Sequence, residues 1–152
     1  MTETRIHEIL DAALAHRQAG DLKSAIDAID PLLRVSPPKA SQAMIIATLF
    51  FESEAWKSAA HWFGVAARLN PDSEKASLGL FHSLWEMDNR REALTEMARY
   101  RASHHSAEYD ALHRDLTEEF LEYMAYMNGA RLAPMPRTVA HRRVGAKARR
   151  VA

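Results

Sequence analysis

The sequence predicts an all-α protein, organised as a short solenoid of three helix–turn–helix repeats. The first observation is a period, because Ala25, Ala59 and Ala93 recur at equal intervals of about 34 residues and their neighbours recur in step. The second is that apolar residues between them return at the three- and four-residue spacings of amphipathic helices. The third is that proline ends the first two repeats, at Pro37 and Pro71. The predicted repeats span about residues 6–39, 40–73 and 74–107.

The first repeat is predicted to form two antiparallel helices. Apolar residues follow the helical period over residues 6–16, with His16 expected at a core position, and Gly20 begins the turn. The second helix has its apolar face within residues 22–33, and Ser36 followed by two prolines closes it.

The second and third repeats follow the same plan. Ala59 and its equivalents are expected where paired helices approach closely, because a larger side chain would push the two backbones apart. The third repeat departs from the pattern, since Phe81 replaces a small residue, Arg90 replaces an aromatic one and His105 replaces a proline. These departures predict altered packing near that end of the stack.

A seventh helix is predicted over about residues 106–128. Ser106 is suited to cap its start, and Asn128 followed by Gly129 supplies a stop. Its apolar and charged residues fall on opposite faces, which suits a helix that closes the open end of a solenoid. The apolar stripe comprises Tyr109, Leu112, Leu116, Phe120, Tyr123 and Met127.

The period and its order of small and large apolar positions resemble the tetratricopeptide repeat (TPR) family over about residues 6–107. The resemblance implies a right-handed solenoid of three repeats. It also implies a concave face, lined by the first helix of each repeat, that holds a peptide or helix of a partner protein. The matching groove positions are His7, Leu10, Leu14, Arg17, Met44, Thr48, Phe51, Lys75, Leu78, His82 and Trp85.

Two interpretations of the large groove residues stay open at this point. Phe51 and Trp85 would be natural anchors for a partner if they are exposed, because aromatic residues are enriched at interface hot spots. Alternatively, Met44, Phe51 and Trp85 pack against one another or against the C-terminal helix. The carboxylate clamp of TPR co-chaperones is not expected, because only Lys75 among its matching positions is basic.

A basic tail is predicted over residues 129–152. Residues 1–130 hold all 20 acidic residues and 13 basic ones, whereas seven basic residues and no acidic one follow. The tail could be free and disordered, bind nucleic acid or another acidic partner, or lie across the acidic body and compete with a ligand. The six cations assigned to this electrostatic role are Arg137, Arg142, Arg143, Lys147, Arg149 and Arg150.

Composition and motifs favour a non-enzymatic binding protein. The chain has no cysteine and none of the usual phosphate-binding or nucleophile signatures, so no catalytic residue, metal or cofactor is assigned. No apolar stretch has the length of a signal peptide or membrane span, and a cytoplasmic location is expected. The expected function is that of an adaptor, chaperone or immunity-type partner, with self-association through a solenoid end left open.

Overall fold

The structure, a computed structural model, describes residues 1–128, apart from the side chains of Tyr126 and Met127. Within this range the chain forms seven α-helices and one 3₁₀ helix, and it contains no strand. The predicted all-α class is therefore confirmed, while the predicted tail lies outside the described residues. The helices are α1 (Glu3–Gln18), α2 (Leu22–Ile29), the 3₁₀ helix (Asp30–Arg34), α3 (Ala40–Glu52), α4 (Trp56–Leu69), α5 (Glu74–Glu86), α6 (Arg90–Arg101) and α7 (Ala107–Met127).

The first six helices form three hairpins whose turns share one backbone geometry. Gly20, Glu54 and Asp88, which recur at the same interval as the three alanines, have φ angles of 79°, 61° and 61°. The residue after each donates its N–H to a carbonyl five positions earlier in the chain, as in the Schellman motif that ends many helices. These bonds are Asp21 to His16, Ala55 to Phe50 and Asn89 to Leu84, each 2.9 Å long.

Local residue chemistry explains several helix ends. The side chains of Asp21 and Ser106 accept hydrogen bonds from the backbone N–H of Ser24 and Tyr109, so the predicted cap of α7 is confirmed. The second helix ends at Ile29, earlier than expected, and continues as a 3₁₀ turn. Pro31 lacks the N–H that an α-helix would need at that position.

The hairpins pack side by side, with α4 lying against both α3 and α5, while α3 also contacts α1 on one flank and α5 on the other. Ala25, Ala59 and Ala93 are completely buried, as expected for positions of close approach. His16 is exposed rather than in the core. It belongs to the final turn of α1, where an imidazole remains hydrated more easily than it is buried.

The departures in the third hairpin have packing explanations. The guanidinium of Arg90 lies 4.8 Å from the ring centre of Trp85. Trp56, at the equivalent position of the second hairpin, makes the corresponding contact with Phe51 at 5.1 Å. A cation–π contact therefore replaces an aromatic pair in the third hairpin.

Phe81 and His105 lie towards α7. The ring of Phe81 stacks on Trp85 and meets the edge of Tyr109 at a centroid distance of 5.7 Å. Phe81 therefore contributes to the core shared by α5, α6 and α7. His105 is exposed and lies 3.3 Å from a carboxylate oxygen of Asp110.

Only the beginning of α7 is embedded in the core. Tyr109 and Leu112 are buried, whereas Phe120 and Tyr123 are exposed, so the core covers only the first half of the apolar stripe along α7. The cause is length, because α7 has 21 residues, α5 has 13 and α6 has 12. At about 1.5 Å per residue, α7 is about 31 Å long against about 20 Å for its neighbours.

Candidate functional site

A depression lies between α1 and α3, on the side of the molecule where the first helices of the hairpins contact one another. Helical spacing aligns its lining residues, because side chains three and four positions apart share one helix face. The lining residues are Leu14 and Arg17 from α1, and Met44, Ile45, Thr48 and Leu49 from α3. The structure thus brings together Leu14, Arg17, Met44 and Thr48 from the set implied by the family resemblance.

The wall of this depression is largely apolar. Leu14, Met44 and Ile45 are half-buried, so part of each side chain faces solvent. The hydroxyl of Thr48 donates to the backbone carbonyl of Met44 at 2.8 Å, within the same helix. Because this hydroxyl already has an acceptor, Thr48 can offer its methyl group to a ligand without losing a hydrogen bond.

A second, larger depression adjoins the first at Arg17 and has a volume of about 450 Å³. It lies at the turns of the first two hairpins. Phe51 and Trp56 supply aromatic surface there, with their rings in an edge-to-face arrangement. The other lining residues are Gly20, Leu22, Glu52 and Glu54.

An ion pair between Arg17 and Glu52 separates the two depressions. The Nε of Arg17 donates to both carboxylate oxygens of Glu52, at 2.9 and 2.8 Å, and its Nη2 donates to Oε1 as well. Hydrogen bonding to Glu52 raises the pKa of the Arg17 guanidinium, which therefore remains positively charged. Both residues are only partly exposed, and the pair connects α1 directly to α3.

The remaining groove positions divide into exposed and buried residues. His7 and Lys75 are exposed, whereas Leu10, Leu78 and His82 are buried. The two residues expected as exposed anchors are also buried. The side chains of Phe51 and Trp85 retain 4% and 3% exposure.

The expectation of an exposed Phe51–Trp85 pair therefore needs correction. Phe51 lies between the rings of Trp56 and Phe63, and Trp85 lies between Phe81 and Arg90. Each aromatic residue fills the space at the end of its own hairpin. The core interpretation of these two residues is the one that agrees with their packing.

Sequence reasoning missed seven residues that line the two depressions, and four of these bear directly on the site. Ile45, Leu49 and Trp56 line them, and Glu52 holds Arg17. The opposite charges of Arg17 and Glu52 were visible in the sequence. Their contact was not, because 35 positions separate them and only the approach of α1 to α3 unites them.

Neither a metal centre nor a membrane span is found in the described part of the chain. Residues 1–128 contain no cluster of three or more His, Asp or Glu side chains suited to a metal ion. No helix in that range combines the length and apolar character needed to cross a bilayer. The predicted tail cations, from Arg137 to Arg150, lie outside the described residues.

Comparison with family models, curated proteins and solved structures gives no match to the chain.

Proposed function

We propose that this protein is a right-handed, three-repeat solenoid of the TPR type that binds a peptide or helix of a partner protein along α1 and α3. In this role it acts without catalysis, as an adaptor, chaperone or immunity-type partner. The proposal has two parts, the repeat architecture and the ligand, and different observations support them.

The recurrence of helix ends supports the repeat architecture. The second helices of the hairpins begin at Leu22, Trp56 and Arg90, which are equally spaced along the chain. The left-handed turn residues recur with the same spacing. Similar hairpins stacked in series bury a continuous core, which no single hairpin achieves alone. In this arrangement α7 is the helix that closes the stack.

The observation on which the ligand part rests is the open apolar wall formed by Leu14, Met44 and Ile45. An apolar side chain of a partner that enters this depression leaves water, and full burial of a Leu-sized side chain contributes about 1.5–3 kcal/mol. Methionine adapts to irregular shapes, so Met44 suits a surface that receives another side chain.

The Arg17–Glu52 pair gives the site a polar element. Because each charge offsets the other, the pair does not select strongly for an acidic or a basic ligand. It places charged, hydrogen-bonding groups beside the apolar wall. The expected ligand is therefore a peptide segment with spaced apolar side chains, and its net charge should matter little for binding.

The proposal is tested with peptides selected from a random library on immobilised wild-type protein. Met44→Glu places a carboxylate in the apolar wall and is expected to reduce the affinity of the selected peptides at least about tenfold, or about 1.4 kcal/mol. Leu69→Glu is the matched control, because Leu69 is an exposed apolar residue on α4 that lies away from both depressions. Circular dichroism melting establishes that both variants fold.

The binding position is read from backbone amide shifts of the labelled protein. Binding at the proposed site moves the resonances of Leu14, Met44 and Thr48. If the selected peptides bind Met44→Glu as well as wild type, or lose affinity for Leu69→Glu instead, the proposed site is wrong.

A further inference from the structure

The second half of α7 exposes an apolar surface, here called the α7 patch, that belongs to neither depression. Its four residues, Phe120, Leu121, Tyr123 and Met124, retain 59%, 60%, 44% and 39% exposure. They form one continuous surface, because Phe120 is three and four positions from Tyr123 and Met124, and Leu121 is three positions from Met124. Contiguous exposed apolar surface of this kind marks an interaction site more often than scattered single residues do.

Acidic residues border the α7 patch. Glu118 is three positions from Leu121, and Glu119 is four positions from Tyr123, so each carboxylate lies beside an apolar patch residue. No Lys or Arg occurs over residues 115–125. A segment that covers the patch should therefore combine apolar residues with positive charge.

We propose that residues 129–152 of the same chain dock on the α7 patch. This segment contains seven Lys and Arg residues and no acidic residue, and it includes Leu132, Met135 and Val139 as apolar partners. The Lys and Arg side chains of this segment are therefore opposite in charge to the carboxylates that border the α7 patch. The segment also begins directly after α7, so the two surfaces are held near each other.

The length of the chain permits this docking. Arg137 is nine positions after Asn128, and an extended chain of nine residues spans about 30 Å. Glu118, the more distant of the two bordering carboxylates, lies 10 helical positions before Asn128, or about 15 Å along the axis. The basic residues can therefore reach every carboxylate that borders the patch.

A second copy of the chain is a poorer occupant. If two α7 patches faced each other, the two bordering carboxylates of each helix would approach those of the other. Like charges in such proximity oppose association, and the cations of residues 129–152 offset them directly.

Photocrosslinking on the full-length chain tests the docking. Because the chain has no cysteine, Leu121→Cys creates a unique thiol that benzophenone maleimide labels in the patch. Leu94→Cys on α6 is the matched control, since Leu94 is also an exposed leucine outside the patch. An equal mixture of ordinary and ¹⁵N-labelled protein distinguishes crosslinks within one copy from crosslinks between copies.

The expected result is a crosslink within one copy, from position 121 to residues 131–152, at a yield several times that from position 94. The yield should fall severalfold between about 50 mM and about 500 mM salt, because the Debye length shortens. Replacing Arg142, Arg143 and Arg149 by Gln should lower it similarly. Equal yields from both positions, crosslinks between copies, or a yield unaffected by salt and by the Arg→Gln changes would overturn the proposal. None of these results depends on the depressions between α1 and α3.

Discussion

The left-handed residue in each hairpin turn leads to a prediction about stability. Glu54 and Asp88 hold φ at 61°, in the position that Gly20 occupies in the first turn. A residue with a Cβ atom in this conformation is strained by about 1–2 kcal/mol. Glycine avoids that strain but loses more conformational entropy on folding, at a cost of about 0.5–1 kcal/mol. Glu54→Gly should therefore stabilise the protein by about 0.5–1 kcal/mol.

The comparison variant is Glu54→Ala, which removes the carboxylate but retains Cβ. The difference between Gly and Ala at this position isolates the backbone effect from any side-chain interaction of Glu54. At Asp88 the gain should be smaller, because Asp tolerates the left-handed region better than Glu does. Asp88→Gly also loses the hydrogen bond that Arg90 donates to the Asp88 carboxylate at 2.8 Å.

The assay is urea unfolding followed by circular dichroism in the far ultraviolet. With a slope of about 2 kcal/mol per molar urea, a change of about 1 kcal/mol moves the midpoint by about 0.5 M. Gly20→Ala should lower the midpoint, because Gly20 has a positive φ angle. Ala12→Gly, at an exposed position inside α1, should also lower the midpoint, because glycine in a helix interior costs about 1 kcal/mol of stability. If Glu54→Gly unfolds at lower urea than Glu54→Ala, the strain argument fails.

Three further changes test the packing, each by the same unfolding assay. Gly79→Ala would place a Cβ atom 2.4 Å from the Phe63 ring and should cost about 1–3 kcal/mol of stability. Gly64→Ala is the control, because its nearest neighbour is 3.7 Å away, and it should be neutral or stabilising by up to about 1 kcal/mol. Equal effects of the two changes would contradict a tight contact between α4 and α5. Ala59→Leu should cost about 1–3 kcal/mol through overpacking, and full stability would show that its site has spare volume. Tyr109→Phe removes a hydroxyl that lies 2.7 Å from a buried serine hydroxyl and should cost about 1–2 kcal/mol. Burial raises the pKa of Tyr109, so the folded protein keeps this proton to higher pH than the unfolded chain does. The stability of the wild type should therefore fall more steeply above about pH 10 than that of Tyr109→Phe. Parallel pH profiles of the two proteins would refute this role of Tyr109.

The buried hydroxyl network around Tyr109 shows why part of the molecule was hidden from sequence reasoning. Ser77 donates to Glu96 at 2.7 Å, so the Tyr109 hydroxyl is the group that donates to Ser77. These residues come from α5, α6 and α7, and each has an ordinary place in its own helix. Their contact depends on how three helices meet, which no local pattern in the chain encodes.

The residues of the candidate site could be predicted only in part, because their exposure also depends on how separate helices meet. Helical periodicity puts Met44 and Thr48 on one face of α3, the family resemblance implied both of them and Leu14 as groove positions, and the structure brings the three together. The same periodicity could not distinguish half-exposed positions from buried ones. Phe51 shares that face by spacing, Trp85 is its equivalent on α5, and both are nevertheless buried. Rings of α4 pack against Phe51, whereas Phe81 of the same helix and the guanidinium of Arg90 pack against Trp85.

The sequence by itself determined the all-α class, the spacing of the helix pairs, the buried alanines and the cap at Ser106, because these depend on residue type and on contacts within a few positions. Only the tertiary structure decided which groove residues face solvent, that Arg17 meets Glu52, and that α7 extends past its neighbours to leave Phe120 and Leu121 exposed. Those outcomes depend on the relative lengths and positions of separate helices. The exposure of a side chain depends on which other parts of the protein pack over it. A periodic sequence specifies which residues share a helix face, but it does not specify what covers that face.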